Sequence, residues 1–97
     1  MLKIFKKVIS TDEIFAAEIN LVYGATPLSV VDRQGELTLY YIADSEEQRT
    51  ESHTILVFQT GDVLDQDCSN MINVYNFKFL GSVVQYNGGM VWHIWMK

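Results

Sequence analysis

The apolar positions of this chain recur mostly at a period of two, in short runs separated by turn-forming residues. Residues 2–9 alternate: Leu2, Ile4 and Val8 lie on one side, Lys3, Phe5 and Lys7 on the other. This predicts a strand whose lysines suit a sheet edge. Thr11-Asp12-Glu13 reads as a turn or a helix cap. Residues 14–22 fit either a helical face (Ile14, Ala17, Leu21, Val22) or a strand face (Phe15, Ala17, Ile19, Leu21). Gly24 to Pro27 breaks the chain, with Pro27 at or just before the next strand. Residues 28–32 and 37–42 flank Arg33-Gln34-Gly35-Glu36, a hairpin with a four-residue loop in which Gly35 supplies the unusual φ. The polar run 44–52 is a solvated connection. Thr54-Ile55-Leu56-Val57-Phe58 is a wholly apolar strand ended by Thr60-Gly61, and the polar residues 62–71 leave room for one short helical turn. The pattern predicts an all-β or mainly β single domain over residues 1–97: an antiparallel meander of six or seven strands forming a compact sandwich or small barrel, with at most one short helix.

The last hairpin is the most unusual stretch. Residues 79–86 and 90–95 flank Asn87-Gly88-Gly89, and Asn-Gly is the pair that accepts positive φ at both turn positions. With Asn87-Gly88 as the turn, Gln85 faces Met90, Val83 faces Trp92 and Gly81 faces Ile94. On the other side Val84 meets Val91, Ser82 meets His93 and Leu80 meets Trp95. Both faces are apolar, as they are in residues 37–42 and 54–58, whereas an antiparallel sheet commonly wets one face. Too little chain remains to cover every face. The pattern therefore predicts a homo-oligomer that buries Val83, Val84, Met90, Val91 and Ile94. The competing reading makes one face the domain core and leaves a few aromatics exposed on the other.

Composition narrows the function classes. Apolar residues are 48% and charged residues 20%, which is globular. The formal net charge of −5, with Arg33 and Arg49 the only arginines, argues against non-specific nucleic-acid binding. It leaves room for a small anion held by a few local cations. Cys68 is the single cysteine, so no intrachain disulfide forms, as expected of a reducing cytoplasm. The opening residues carry no secretion-signal pattern, and no apolar run is long enough to span a membrane.

No catalytic or metal motif stands out. His93, between Trp92 and Ile94, reads as a packed or hydrogen-bonded structural histidine more readily than as a general base. His53, near the start of a strand, reads as solvated. Cys68, His53 and His93 match no zinc spacing, and Asp62, Asp65 and Asp67 lack the glycine of a calcium loop. No cofactor, metal or enzymatic activity is expected. Trp92, Trp95, Tyr86, Tyr40 and Tyr41 are candidates for a stacking surface, with Arg33 and Lys78 as candidate phosphate contacts. Core packing competes for most of them.

Several short motifs extend along the chain: Thr11-Asp12-Glu13, the Leu28-Ser29-Val30 strand, Leu37-Thr38-Leu39-Tyr40, Thr60-Gly61-Asp62, Leu80-Gly81-Ser82-Val83, and Gly89-Met90-Val91-Trp92-His93. Together they resemble a family of small proteins of unknown function from tailed-phage genomes. The family's region matching residues 14–21 is extended, which favours a strand there. The resemblance implies a viral origin, not an activity; small phage proteins are often non-enzymatic accessory factors, and such a role in the host bacterial cytoplasm is expected here. Counter-defence is the expected form. An oligomeric sponge would sequester a nucleotide immune signal, with Trp92, Trp95, Tyr86 and Tyr40 stacking the base and Arg33, Arg49 or Lys78 holding phosphate. The alternatives are an acidic inhibitor of a host defence protein, using residues 44–51 and 62–67, and a virion assembly component.

Overall fold

The computed structural model describes residues 1–9, 16–62, 76–85 and 88–97. All seven elements among them are strands: β1 (Leu2–Ile9), β2 (Ala16–Val22), β3 (Thr26–Arg33), β4 (Glu36–Asp44), β5 (Thr50–Gln59), β6 (Lys78–Gln85) and β7 (Met90–Met96). They form a three-stranded sheet in the order β1-β4-β3 and a four-stranded sheet in the order β2-β5-β7-β6, with antiparallel pairing throughout. The ambiguous stretch 14–22 resolves as strand from Ala16 onward. The predicted helical turn in 62–71 lies almost wholly outside the described residues.

The two sheets pack face to face because each central strand brings a row of branched side chains to the same interior. Leu37, Leu39 and Tyr41 of β4 meet Ile55 and Val57 of β5 and Ile94 and Met96 of β7, with Leu21 and Ile19 closing the β2 side. β3 and β6, one from each sheet, pack together along the other side. Parity along each strand then sets what faces out.

On β1 the inward residues are Phe5, Lys7 and Ile9. Phe5 stacks on Tyr41 with ring centroids 5.6 Å apart, and Ile9 is buried. The side that reads as apolar in the sequence, Leu2, Ile4 and Val8, therefore faces away from the core.

The turns follow their residue chemistry. Arg33 pairs with Glu36, so the β3–β4 connection is two residues, not four. Gln34 and Gly35 both have positive φ, 53° and 89°, as a type I′ turn requires. The Asp32 carboxylate secures it by accepting the Gly35 N–H at 3.0 Å. In the last hairpin the pairs Gln85–Met90, Val84–Val91, Val83–Trp92, Ser82–His93 and Gly81–Ile94 are as the sequence predicts. The pairing of Leu80 with Trp95 is not observed. A bulge inserts Leu80 between Phe79 and Gly81, so Phe79 takes the place opposite Trp95.

Candidate functional site

Among the described residues, many of the exposed large apolar side chains belong to the strands of the first sheet and lie on its outer face. Register places Ile4 beside Ile42, Lys6 beside Tyr40 and Val8 beside Thr38. Across β4, Ser29 lies beside Tyr40 and Val31 beside Thr38. Leu2 is 72% exposed and Ile4 66%, with Val8, Val31 and Leu28 (at the β3 bulge) also exposed. Tyr40 and Ile42 are half-buried. Between the end rows, where Asp44 and Glu36 sit, these outward positions carry no carboxylate. The acidic charge of the chain lies elsewhere.

The outer face of the second sheet is organised around Trp95. Its ring meets Phe58 edge-on at 5.8 Å and Phe79 at 5.0 Å, and a satellite cluster joins it to buried Leu56 and Phe58 and to Phe77. Beside it His93 bridges two hydroxyls. Its Nδ1 lies 2.7 Å from Ser82 Oγ and its Nε2 2.7 Å from Thr60 Oγ1. In a neutral imidazole one nitrogen donates to one hydroxyl while the other accepts from the second. Thr60 is held at the end of β5 by a tight turn. Asp62 N–H donates to the Gln59 carbonyl at 3.0 Å, the Asp62 carboxylate accepts the Gln59 N–H at 2.7 Å, and Gly61 adopts a φ of 97°.

A hydroxyl, an imidazole and a third group in a row is the outline of an activated serine. The third group here is a neutral hydroxyl, which stabilises an imidazolium far less than a carboxylate would. The Asp62 carboxylate is turned to the turn backbone. The arrangement ties β5, β6 and β7 together. His93 is thus hydrogen-bonded on both ring nitrogens, and Thr60 is a partner that the sequence pattern does not show.

Trp92 points the other way, into the sandwich. Its indole N–H donates to Gln85 Oε1 at 2.8 Å, and Gln85 Nε2 donates to Asp32 Oδ1 at 3.0 Å and to the Gly35 carbonyl at 3.2 Å. This chain links the β6–β7 hairpin to the β3–β4 turn across the two sheets.

The predicted ligand residues therefore do not form one site. Trp92 faces the interior and Trp95 the outer side of the second sheet. Tyr40 and Arg33 occupy the outer side of the first sheet, four strand rows apart by register. Lys78 opens β6, and Tyr86 lies outside the described residues, as do Cys68, Asp65 and Asp67. Arg49 is committed to Glu47 at 2.8 Å and to the Tyr23 ring, 4.3 Å from its centroid. The predicted oligomer interface also needs correction. Val83 and Ile94 are buried in the chain's own core, since inward parity on β6 and β7 points them at the first sheet. Met90 and Val91 are half-buried, and Val84, 57% exposed, remains open.

His53 is half-buried instead of solvated: Nδ1 lies 3.1 Å from the Lys97 carbonyl and Nε2 3.2 Å from Glu51 Oε1. Among the described residues no three His, Cys, Asp or Glu side chains converge as a metal site, and no helix is long and apolar enough to cross a membrane.

These features define a small two-sheet β-sandwich with an apolar outer sheet face. Over residues 1–97 the sequence matches the family described as a domain of unknown function (DUF7352), and the chain belongs to that family. No curated protein and no solved structure matches it.

Proposed function

We propose that this chain is a non-enzymatic accessory binding protein that works as a homo-oligomer, with two copies meeting through the outer face of the first sheet. The observation that carries this reading is the outward row Leu2, Ile4, Val8, Ile42 and Val31 on one continuous sheet surface. Three strands of about eight residues give a footprint of roughly 370 Å² at standard strand spacing. That is about half of the ~800 Å² per partner of a standard interface, so the contact would be a small one. A two-fold contact places like surface on like, and here that surface is free of carboxylates between its ends despite the net charge of −5.

The resemblance to phage accessory proteins supplies the setting, counter-defence in a bacterial host, with a nucleotide signal as the sequestered ligand. A second reading, an acidic inhibitor of a host defence protein, is favoured by the exposed run that holds Asp44, Glu46 and Glu51.

Size-exclusion chromatography with light scattering tests the self-association. The wild-type chain should elute at twice its 11.1 kDa mass. Ile4→Lys, at an exposed position, should be monomeric and fully folded. A monomeric wild type at high concentration, or a dimeric Ile4→Lys, overturns the assignment.

A further inference from the structure

We propose that the end of the sandwich where β3 faces β6 and β7 is a binding site for a small organic anion, a compact apolar body carrying one phosphate or carboxylate. A cavity of about 320 Å³ opens there, at the lower end of the range that holds small molecules. Its apolar part comes from both sheets: Ala25 and Pro27 from the first and Met96 from the second. Lys78, Lys97 and His53 line it as well, with Asn76 beside them.

Parity explains why Lys78 and His53 are found here. Lys78 pairs with Met96, a core residue that is nearly inaccessible, so Lys78 belongs to the inward row of β6. Two rows before Ile55 on β5, His53 also lies on the inward side. An inward lysine at the mouth of a β-sandwich has its stem against apolar groups and its ammonium at the opening. Among the described residues no carboxylate lies within ion-pair distance of Lys78. Glu51 lies 3.2 Å from His53 Nε2. Asn76 holds a left-handed backbone with φ of 62°, a conformation asparagine tolerates, and so turns the chain into β6 at the rim.

An ammonium of this kind acts as a point charge toward phosphate or carboxylate. The apolar floor rewards a hydrophobic body that inorganic phosphate lacks. The cavity has no Phe, Tyr or Trp among its lining residues, so recognition rests on charge and shape more than on base stacking. This is a different place from the stacking surface expected from the sequence, and only Lys78 is common to the two. It is also separate from the self-association face.

The test is a ¹H–¹⁵N NMR titration of the full chain with phenyl phosphate, phenol and inorganic phosphate. Phenyl phosphate should give saturable shifts at Ala25, His53, Lys78 and Met96 at roughly millimolar concentration or below. Phenol and inorganic phosphate should each bind at least about tenfold more weakly. Lys78→Gln should weaken phenyl phosphate binding about tenfold while its spectrum stays dispersed, and Lys78→Arg should retain binding. Ile4→Lys should bind normally, which separates this site from self-association. Absence of saturable shifts, shifts confined to other surfaces, or equal binding by phenol or by Lys78→Gln overturns the proposal.

Discussion

The Gln85 side chain gives the sharpest test of how the two sheets are joined. It is 4% exposed and uses three hydrogen bonds: one accepted from Trp92 Nε1, and two donated to Asp32 and to the Gly35 carbonyl. The amide orientation follows from chemistry, since an indole N–H can only donate and must meet the amide oxygen. Gln85→Ala removes all three bonds at once. It leaves the half-buried Trp92 N–H and the Gly35 carbonyl without this partner, at about 1–3 kcal/mol for each group that water cannot reach. It also removes about two methylene-sized groups of packing, near 0.8 kcal/mol each. Allowing for partial solvation of Asp32 and Gly35, the loss is roughly 2–4 kcal/mol, which lowers Tm by roughly 10–25 °C in a chain of this size. Urea unfolding followed by tryptophan fluorescence reads it directly, with an unchanged m-value confirming that the folded state is intact. A double-mutant cycle with Trp92→Phe should show coupling of about 0.5–1.5 kcal/mol. A loss below about 1 kcal/mol for Gln85→Ala would mean that water substitutes for the amide and that the bridge does not tie the sheets.

Three further outcomes follow from the same structure. Gly61→Ala should cost about 1–2 kcal/mol in urea unfolding, and Gly35→Ala a similar amount. An added Cβ meets nothing within 4 Å at either site, so the cost is that of positive φ alone. Thr60→Val should cost about 0.5–1.5 kcal/mol and should change the ¹⁵N ring shifts of His93, because one imidazole nitrogen loses its hydroxyl partner. The Glu47 carboxyl, hydrogen-bonded by the Arg49 side chain and backbone, titrates at about 2 instead of the ordinary 4.5. Its contribution to stability is therefore present above pH 4.5 and is lost as pH falls toward 2. Arg49→Gln should return the carboxyl resonance of Glu47 to the ordinary range in a ¹³C titration.

Local signals in the sequence report the strands and their pairing within hairpins well. Reading Asn87-Gly88 as a turn predicts the pairs that β6 and β7 show from Gln85–Met90 to Gly81–Ile94, whereas the two-residue Gln34-Gly35 turn between β3 and β4 is shorter than the sequence suggests. Such signals do not report which sheet a strand joins. Period-two alternation gives the two sides of Trp92 and Trp95, but only the assembled sandwich shows that Trp92 faces in. The bulge at Leu80 shifts one pair without any signal a two-residue period can carry. The two-sided apolar pattern of 54–58 has a local cause: Ile55 and Val57 serve the main core, while Leu56 and Phe58 serve the cluster around Trp95. For His93 the partner across the hairpin is legible, since Ser82 lies opposite it. Thr60 is not, because a turn hydroxyl 33 positions away meets the ring only once β5 lies beside β7.

The orientation of β1 makes the case for a covered outer face. Two arrangements of this strand compete. The observed one buries Ile9, half-buries Phe5 and turns Lys3 and Lys7 toward the sandwich; a one-residue flip would bury Leu2, Ile4 and Val8 with only Lys6 among them. At about 1.5–3 kcal/mol per large apolar side chain, burial alone does not favour the observed side. The Phe5–Tyr41 stack and the fit of Ile9 favour it in part. In an isolated sandwich the remaining difference would leave Leu2, Ile4 and Val8 exposed with no return. The proposed second copy on that face would resolve the conflict, because both rows of β1 would then be covered, one within the chain and one between chains. Folding of the chain and coverage of this face respond differently to substitution. Replacing Ile4 and Val8 together with Thr retains β-propensity and removes little from the monomer, whose core they do not enter. It should leave unfolding of the isolated chain nearly unchanged while abolishing the concentration dependence of Tm that a dimer confers.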